Sequence, residues 1–337
     1  MKITIIMAGY GEGGLEKHVV ELANGLMRHK KEGVQVCVIA DPMYGVRFAQ
    51  DITFMPFVFS GSRRNPIALF QLWRTIRQTR PNLVHAHGNK AASMIGSLLP
   101  LLKVHSVATL HSRKKNVRMF RAFERVIAVS KVSTLNLEHP GIRIVYNGIA
   151  PSDDHSQASD GAWHNAPRGK RVIAVGRLVP VKGFDILIEA WSKIDAYLLI
   201  LGEGFERPRL ESLIADRGLT DRVRLAGHQH DVLPYVRSAD LMVISSRYEG
   251  CPYVLIEALQ QNLPVASTRV GVMPELLPAQ ALYDVEDPSA LASTIQYALT
   301  DLDAFKTTFE AAFTHASTQL TLDNMLERTL SIYKELF

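Results

Sequence analysis

Short β-branched runs alternate with helical stretches along nearly the whole sequence, and that alternation leaves few folds open. The runs are Lys2–Met7, Val34–Ala40, Asn82–Ala86, Val104–Leu110, Val126–Val129 and Ile142–Val145 in the front half. In the back half they are Arg171–Val175, Tyr197–Leu201, Val223–Leu225, Leu241–Ile244 and Val265–Ser267. Between the first two, apolar residues at 15, 19, 22, 23 and 26 recur at helical spacing, which predicts a helix over Leu15–Lys30. Strands separated by helices are joined by crossovers, so the expected sheets are parallel and doubly wound. In such sheets ligands bind beyond the carboxyl ends of the strands, where the strand order reverses.

A chain of 337 residues suggests two domains, and the polar, unpatterned stretch Ser152–Lys170 reads as the linker between them. The expected architecture is therefore α/β, with two Rossmann-like, doubly wound parallel-sheet domains facing across a cleft. The first would span 1–160 and the second 161–317. A last helical pattern, about 318–337, carries Leu322, Met325, Leu326, Leu330 and Tyr333 on one face and is expected to pack back on the first. With 47% hydrophobic and 21% charged residues, disordered and low-complexity readings fall away. Cys37 and Cys251 are the only cysteines, which excludes a disulfide framework and a multi-cysteine zinc site and fits a reducing compartment. The longest uncharged apolar stretch, Ala91–Leu102, has 12 residues and contains Pro100, whereas a membrane span needs roughly 20. The apolar run at the start is too short for a signal peptide. A cytoplasmic location is expected, with peripheral contact at the inner face of the cytoplasmic membrane as an extension of it.

Charge is unevenly spread. Residues 1–165 carry 21 Lys and Arg against 11 Asp and Glu, a net of +10, and the remainder carries 17 against 22, a net of −5. Two basic, aromatic-bearing stretches account for much of the front half: 65–80, with Phe70, Trp73 and Ile76, and 112–125, with Met119, Phe120 and Phe123. Read as helices, both suit an anionic lipid surface. The alternative is a solvated helix face. No nucleic-acid-binding motif accompanies them.

The first strand runs into Gly9-Tyr10-Gly11-Glu12-Gly13-Gly14, which satisfies the dinucleotide pattern G-x-G-x-x-G, with Asp41 at the end of the second strand. An NAD site, a plain strand-to-helix turn and a turn bordering a ligand cleft all fit these residues. The back half is more specific. After the strand Leu241–Ile244 comes Ser245-Ser246-Arg247-Tyr248-Glu249-Gly250-Cys251-Pro252, and a helix is predicted over Pro252–Gln261, with Pro264 limiting it. Its free N–H groups form an anion site, with Glu249 just before it and Glu257 inside it. Arg177 and Lys182 follow the strand Arg171–Val175 at the same sheet edge and suit a diphosphate.

These elements resemble the retaining family-4 glycosyltransferases of GT-B fold, in particular those of bacterial cell-surface polysaccharide and lipopolysaccharide synthesis. Glu249 and Glu257 reproduce the family's E-x7-E element, 175–183 (VGRLVPVKG) its G-R-x-x-x-x-K-G element and Gly13-Gly14-Leu15-Glu16 its G-G-x-E loop. VYNGI (145–149) is similar to its N-G-[VI] segment and LGEG (201–204) to its G-x-G turn. RVGVMPEL (269–276) departs from G-G-x-x-E at Val272, and Ala150 stands where an aspartate is common. The resemblance implies transfer of a sugar, with retention, from a nucleoside diphosphate donor, UDP-linked by preference, to a glycan or lipid-linked acceptor. Arg177 and Lys182 would bind the diphosphate with the amides of Gly250, Cys251, Tyr253 and Val254. Glu257 would hold the ribose, Glu249 the transferred sugar, and Gly13 and Gly14 would close over the donor. His111, in the T-x-H segment, would contact the sugar, and His87 and Glu16 would face the acceptor. His111, Glu249, Arg177 and Lys182 form the implied catalytic set. The family uses no metal or other cofactor, and the chain has no D-x-D motif. A related sugar-nucleotide epimerase and a non-catalytic nucleotide-sugar or membrane-binding paralogue are the competing readings.

Overall fold

The computed structural model describes residues 1–9, 11, 13–28, 33–151, 163 and 169–337. The chain divides into two units, Met1–Gly148 with Leu322–Phe337, and Ile149–Thr321. Most of the segment expected as a linker, and the position near 160 expected as the domain joint, lie outside the described residues, as do Tyr10 and Glu12 of the glycine loop.

The first unit holds seven strands: β1 (Lys2–Met7), β2 (Gln35–Ala40), β3 (Thr53–Pro56), β4 (Leu83–His87), β5 (His105–Leu110), β6 (Arg125–Ala128) and β7 (Ile142–Ile144). All pair in parallel, in the order β3-β2-β1-β4-β5-β6-β7. The order reverses between β1 and β4, where Met7 pairs with His87 at the carboxyl edge. Helices α1 (Gly14–Arg28), α2 (Pro66–Thr79) and α3 (Asn89–Leu102) cross over the faces. The helix Leu322–Lys334 belongs to this unit, and its Leu322, Met325, Leu326, Leu330 and Tyr333 complete the core that α1 forms with β1 and β2. A methyl group at Gly25 would sit 2.5 Å from Leu326 Cδ1, so glycine is what lets the last helix come this close to α1.

The two basic stretches differ in the structure. Residues 112–125 do not form a helix that offers aromatics to solvent. Only a short 3-10 turn, Arg118–Ala122, forms, and Phe120 and Phe123 are buried in the core against α3. Burying two phenyl rings outweighs presenting them to water, and the chain turns them inward. In 65–80 the helix does form, capped by Asn65, whose side chain accepts from the Ile67 and Ala68 N–H groups. Its Ile67 and Phe70 are exposed, while Leu72 and Ile76 are buried.

The second unit holds β8 (Arg171–Val175), β9 (Tyr197–Leu201), β10 (Val223–Gly227), β11 (Leu241–Ile244), β12 (Val265–Thr268) and β13 (Leu282–Tyr283), in the order β10-β9-β8-β11-β12-β13. The pairs are again parallel, and the order reverses between β8 and β11. Helices α4 (Phe184–Trp191), α5 (Arg207–Asp216), α6 (Leu233–Arg237), α7 (Tyr253–Gln260), α8 (Met273–Leu276), α9 (Pro288–Thr300), α10 (Leu302–Thr307) and α11 (Glu310–Gln319) complete it. A parallel bridge between Ile149 and Thr321 sets the chain's entry to this unit beside its exit. No helix of the described residues is long and apolar enough to cross a membrane.

Candidate active site

In the second unit the loops after β8 and β11 meet at the switch point. Gly183, with φ 64°, starts α4, and a Cβ there would lie 2.1 Å from the Ser245 carbonyl oxygen. The Ser245 hydroxyl donates to the Lys182 carbonyl (2.9 Å), and the Arg247 N–H donates to the Val181 carbonyl (2.8 Å). The two loops are thus joined backbone to backbone, and the side chains they carry are fixed together. Lys182 Nζ donates to Glu249 Oε1 at 2.5 Å, and the Ser246 hydroxyl donates to the same oxygen at 2.8 Å. Both members of this ion pair are mostly shielded from water. Arg177, on the same loop as Lys182, is exposed and has no ion pair among the described residues.

Helix α7 starts beside them with Pro252 at its cap position and no side-chain capping bond. Its first N–H groups are those an anion would use. Gly250, Cys251, Tyr253 and Glu257 are buried and Val254 is half-buried. Arg247, which the sequence reading passed over, braces the loop. It donates to both Asp185 oxygens (2.8 and 3.0 Å) and pairs with Glu286. Burial pushes the Asp185 carboxyl up, but the Arg247 hydrogen bonds outweigh it and hold the group below its ordinary value.

The switch point of the first unit has a different character. His85 and His87 stand on β4, His111 follows β5, and His18 projects from α1. His85, His87 and His18 are buried and His111 is half-buried. Ring centroids lie 4.0 Å apart for His85–His87, 4.9 Å for His18–His111, 5.3 Å for His18–His87 and 5.4 Å for His87–His111. His18 Nδ1 bonds Asn147 Oδ1 (3.0 Å), His85 bonds the Tyr333 and Thr109 hydroxyls (2.6 and 2.7 Å), and His87 Nδ1 bonds His111 Nε2 (3.1 Å). Burial lowers the His18 pKa to about 4 against the help of Asn147, and burial and then neighbouring imidazoles lower His85, His87 and His111 well below the ordinary range. All four rings are therefore neutral at pH 7. Among the described residues no group of three His, Cys, Asp or Glu side chains is arranged to hold a metal ion.

Glu16 is buried and lies over the glycine loop. A Cβ at Gly9 would fall 2.3 Å from its Oε1 and one at Gly13 2.8 Å from its Oε2. Its carboxylate fills the space where a dinucleotide's pyrophosphate would approach the glycines, so a second anion there would meet like charge. Asp41 is also engaged, accepting from the Met43 N–H (3.2 Å) as the cap of a 3-10 turn. Neither feature favours NAD. Two cavities, of about 500 and 590 Å³, open at the amino ends of the strands, beside Lys170 and Asp240 and beside Asn82 and His105 respectively. Neither is lined by a residue of the candidate site.

The sequence reading missed His18 and Asn147 as partners. His18 lies on the inward face marked by Leu15, Val19, Leu22 and Leu26, and that spacing was the signal available.

Fold and site together define a two-unit α/β protein with two cations and an uncapped helix start at one switch point and uncharged imidazoles at the other. Residues 12–153 match the family model described as Glycosyltransferase Family 4, and residues 169–301 match that described as Glycosyl transferases group 1. Each half of the chain is thus similar to a glycosyltransferase family model. It is 29% identical over 281 residues to the lipopolysaccharide core biosynthesis glycosyltransferase LpsE of Rhizobium meliloti, covering 80% of this chain and 79% of that one. It superposes on Anabaena HepE in complex with UDP-glucose with a TM-score of 0.84 at 20% identity, over 99% and 100% of the two chains. WaaG, a glycosyltransferase involved in lipopolysaccharide biosynthesis, gives 0.73 at 16% identity over 98% and 99%. The fold is GT-B.

Proposed function

We propose that this chain transfers a sugar, with retention, from a nucleoside diphosphate donor to a glycan or lipid-linked acceptor of the cell envelope. UDP is the preferred carrier, in keeping with the UDP-glucose bound by HepE and the lipopolysaccharide role of LpsE. The observation that carries the reading is the Lys182–Glu249 pair beside the uncapped start of α7. An incoming diphosphate replaces Glu249 as the partner of Lys182, with Arg177 and the α7 amides completing its charge balance. Glu249 is then free to accept hydrogen bonds from hydroxyls of the transferred sugar. Glu257 serves the ribose, Gly13 and Gly14 border the donor, His111 contacts the sugar, and His87 and Glu16 lie on the acceptor side.

In the transfer step the bond from the anomeric carbon to the phosphate oxygen breaks, with its electron pair leaving on the diphosphate. The acceptor oxygen bonds to the same face of that carbon, and its proton passes to the departing phosphate oxygen. The protein's work is placement and stabilisation of the leaving charge, with no metal or other cofactor in the scheme. The exposed Ile67 and Phe70, among the cations of 65–80, offer peripheral contact with an anionic leaflet.

The test is thermal unfolding with UDP, GDP, ADP and NAD, on wild type and on Lys182→Ala. Saturation at 100 times Kd adds about 2.7 kcal/mol, or several degrees for units of this size. UDP is expected to shift wild type and to shift Lys182→Ala far less. An equal UDP shift in both proteins, or a shift with NAD alone, would overturn the assignment.

A further inference from the structure

His87 and His111 share one hydrogen bond and, both rings being neutral, one proton lies between them. Two arrangements exist. If His111 Nε2–H donates, His87 carries its own proton on Nε2, which is buried and has no partner among the described residues. An unsatisfied buried N–H costs about 1–3 kcal/mol, and such orphans are rare. If His87 Nδ1–H donates, only a lone pair is left unpaired at Nε2, the milder defect. The second arrangement leaves His111 with its proton on Nδ1, the reverse of the preference of a free histidine side chain.

We infer that His87 is a positioning residue that fixes His111 as the Nδ1–H tautomer, so that His111 meets a substrate oxygen as a hydrogen-bond donor and not as a base. His85 supports this from behind. Its ring lies 4.0 Å from that of His87 and is held at both nitrogens, by Tyr333 and Thr109, so it offers His87 Nε2 no hydrogen bond. The half-buried His111 keeps Nδ1–H for a partner from outside the fold. That the partner is the donor sugar rests on the transferase reading above, whereas the tautomer does not.

The experiment is a long-range 15N–1H spectrum of histidine-labelled protein without substrate at pH 7.5, with the His111 ring assigned by its loss in His111→Gln. The expected pattern is a pyridine-like Nε2 and a protonated Nδ1. In His87→Leu it is expected to change to protonated Nε2, and His87→Gln, whose amide falls near the Nε2 position, serves if the leucine variant does not fold. A protonated Nε2 or an imidazolium in wild type overturns the inference, as does an unchanged tautomer in either folded variant. In a transfer assay His87→Leu is expected to lower kcat/KM roughly ten-fold, the worth of one neutral hydrogen bond. Absence of transfer by wild type would sink the functional reading and leave the spectrum to decide the tautomer.

Discussion

Mild acid is expected to weaken the first unit through its buried imidazoles, and His18 allows the size of the effect to be worked out. Its folded pKa is about 4 against an ordinary 6.5. The unfolded chain therefore takes up the proton first. The stability tied to this group is complete above pH 6.5 and drains away as the pH falls toward 4. Between pH 7 and pH 5 the loss from His18 alone comes to about 2 kcal/mol. His85, His87 and His111, which face it, are shifted in the same direction and add to the slope. Each unit carries one buried cysteine, Cys37 in the first and Cys251 in the second. Urea titrations read by a dipyridyl disulfide, which reacts with thiols in mild acid, therefore follow the two units separately. Cys37 is expected to become accessible at progressively lower urea as the pH drops, while Cys251 moves less. In His18→Asn, whose short amide can still face Asn147, the first unit's fall between pH 7 and pH 5 should be smaller by about 2 kcal/mol. Parallel losses in wild type and variant would show that His18 is not held neutral by the fold, and would refute the reasoning.

Two further outcomes use the same readout. Leu326→Ala removes a buried contact between the last helix and Gly25 of α1, and should cost the first unit about 2–4 kcal/mol. Cys37 should then label at lower urea although the substitution lies near the far end of the chain, and an unchanged midpoint would contradict that packing. Gly183→Ala places a methyl against the Ser245 carbonyl at a positive φ, and should cost the second unit upward of about 1 kcal/mol. Its signature is earlier exposure of Cys251 with Cys37 unmoved.

Periodicity made most strands and the covering helices legible because buried parallel strands are short, apolar and bounded by breaks. β3 and β13 escaped it for the same reason. Thr53–Pro56 is four residues at a partly exposed edge, and Leu282–Tyr283 is only two, so neither sustains a pattern. The stretch 112–125 misled because composition counts cations and aromatics without saying which way each points. Its rings turn inward and no long helix forms. At the site, Lys182 and Glu249 were each visible as residues following a strand. Their direct pairing was not, because it depends on how two loops separated by 67 residues meet. His87 and His111 were legible as separate site residues, but the cluster was not. The four rings meet only through the switch in strand order that sets β1 beside β4 and β4 beside β5.

That switch also shows why the net charge of a half is a poor guide to the charge at its switch point. The front half is the basic one, yet its switch point is lined by four neutral imidazoles and by Glu16 lying over the glycine loop. The back half is acidic overall, yet its switch point carries Lys182, Arg177 and an uncapped helix start. Within roughly a Debye length of about 8–10 Å, the nearest groups outweigh the sum over a unit. Burial does the sorting. It strips charge from imidazoles that have no counter-ion, whereas Lys182 keeps an acidic partner in Glu249. Under the proposed function an anion takes that partner's place in the second unit. In the first, the proposed function has neutral N–H and lone-pair groups meet the uncharged hydroxyls of a sugar.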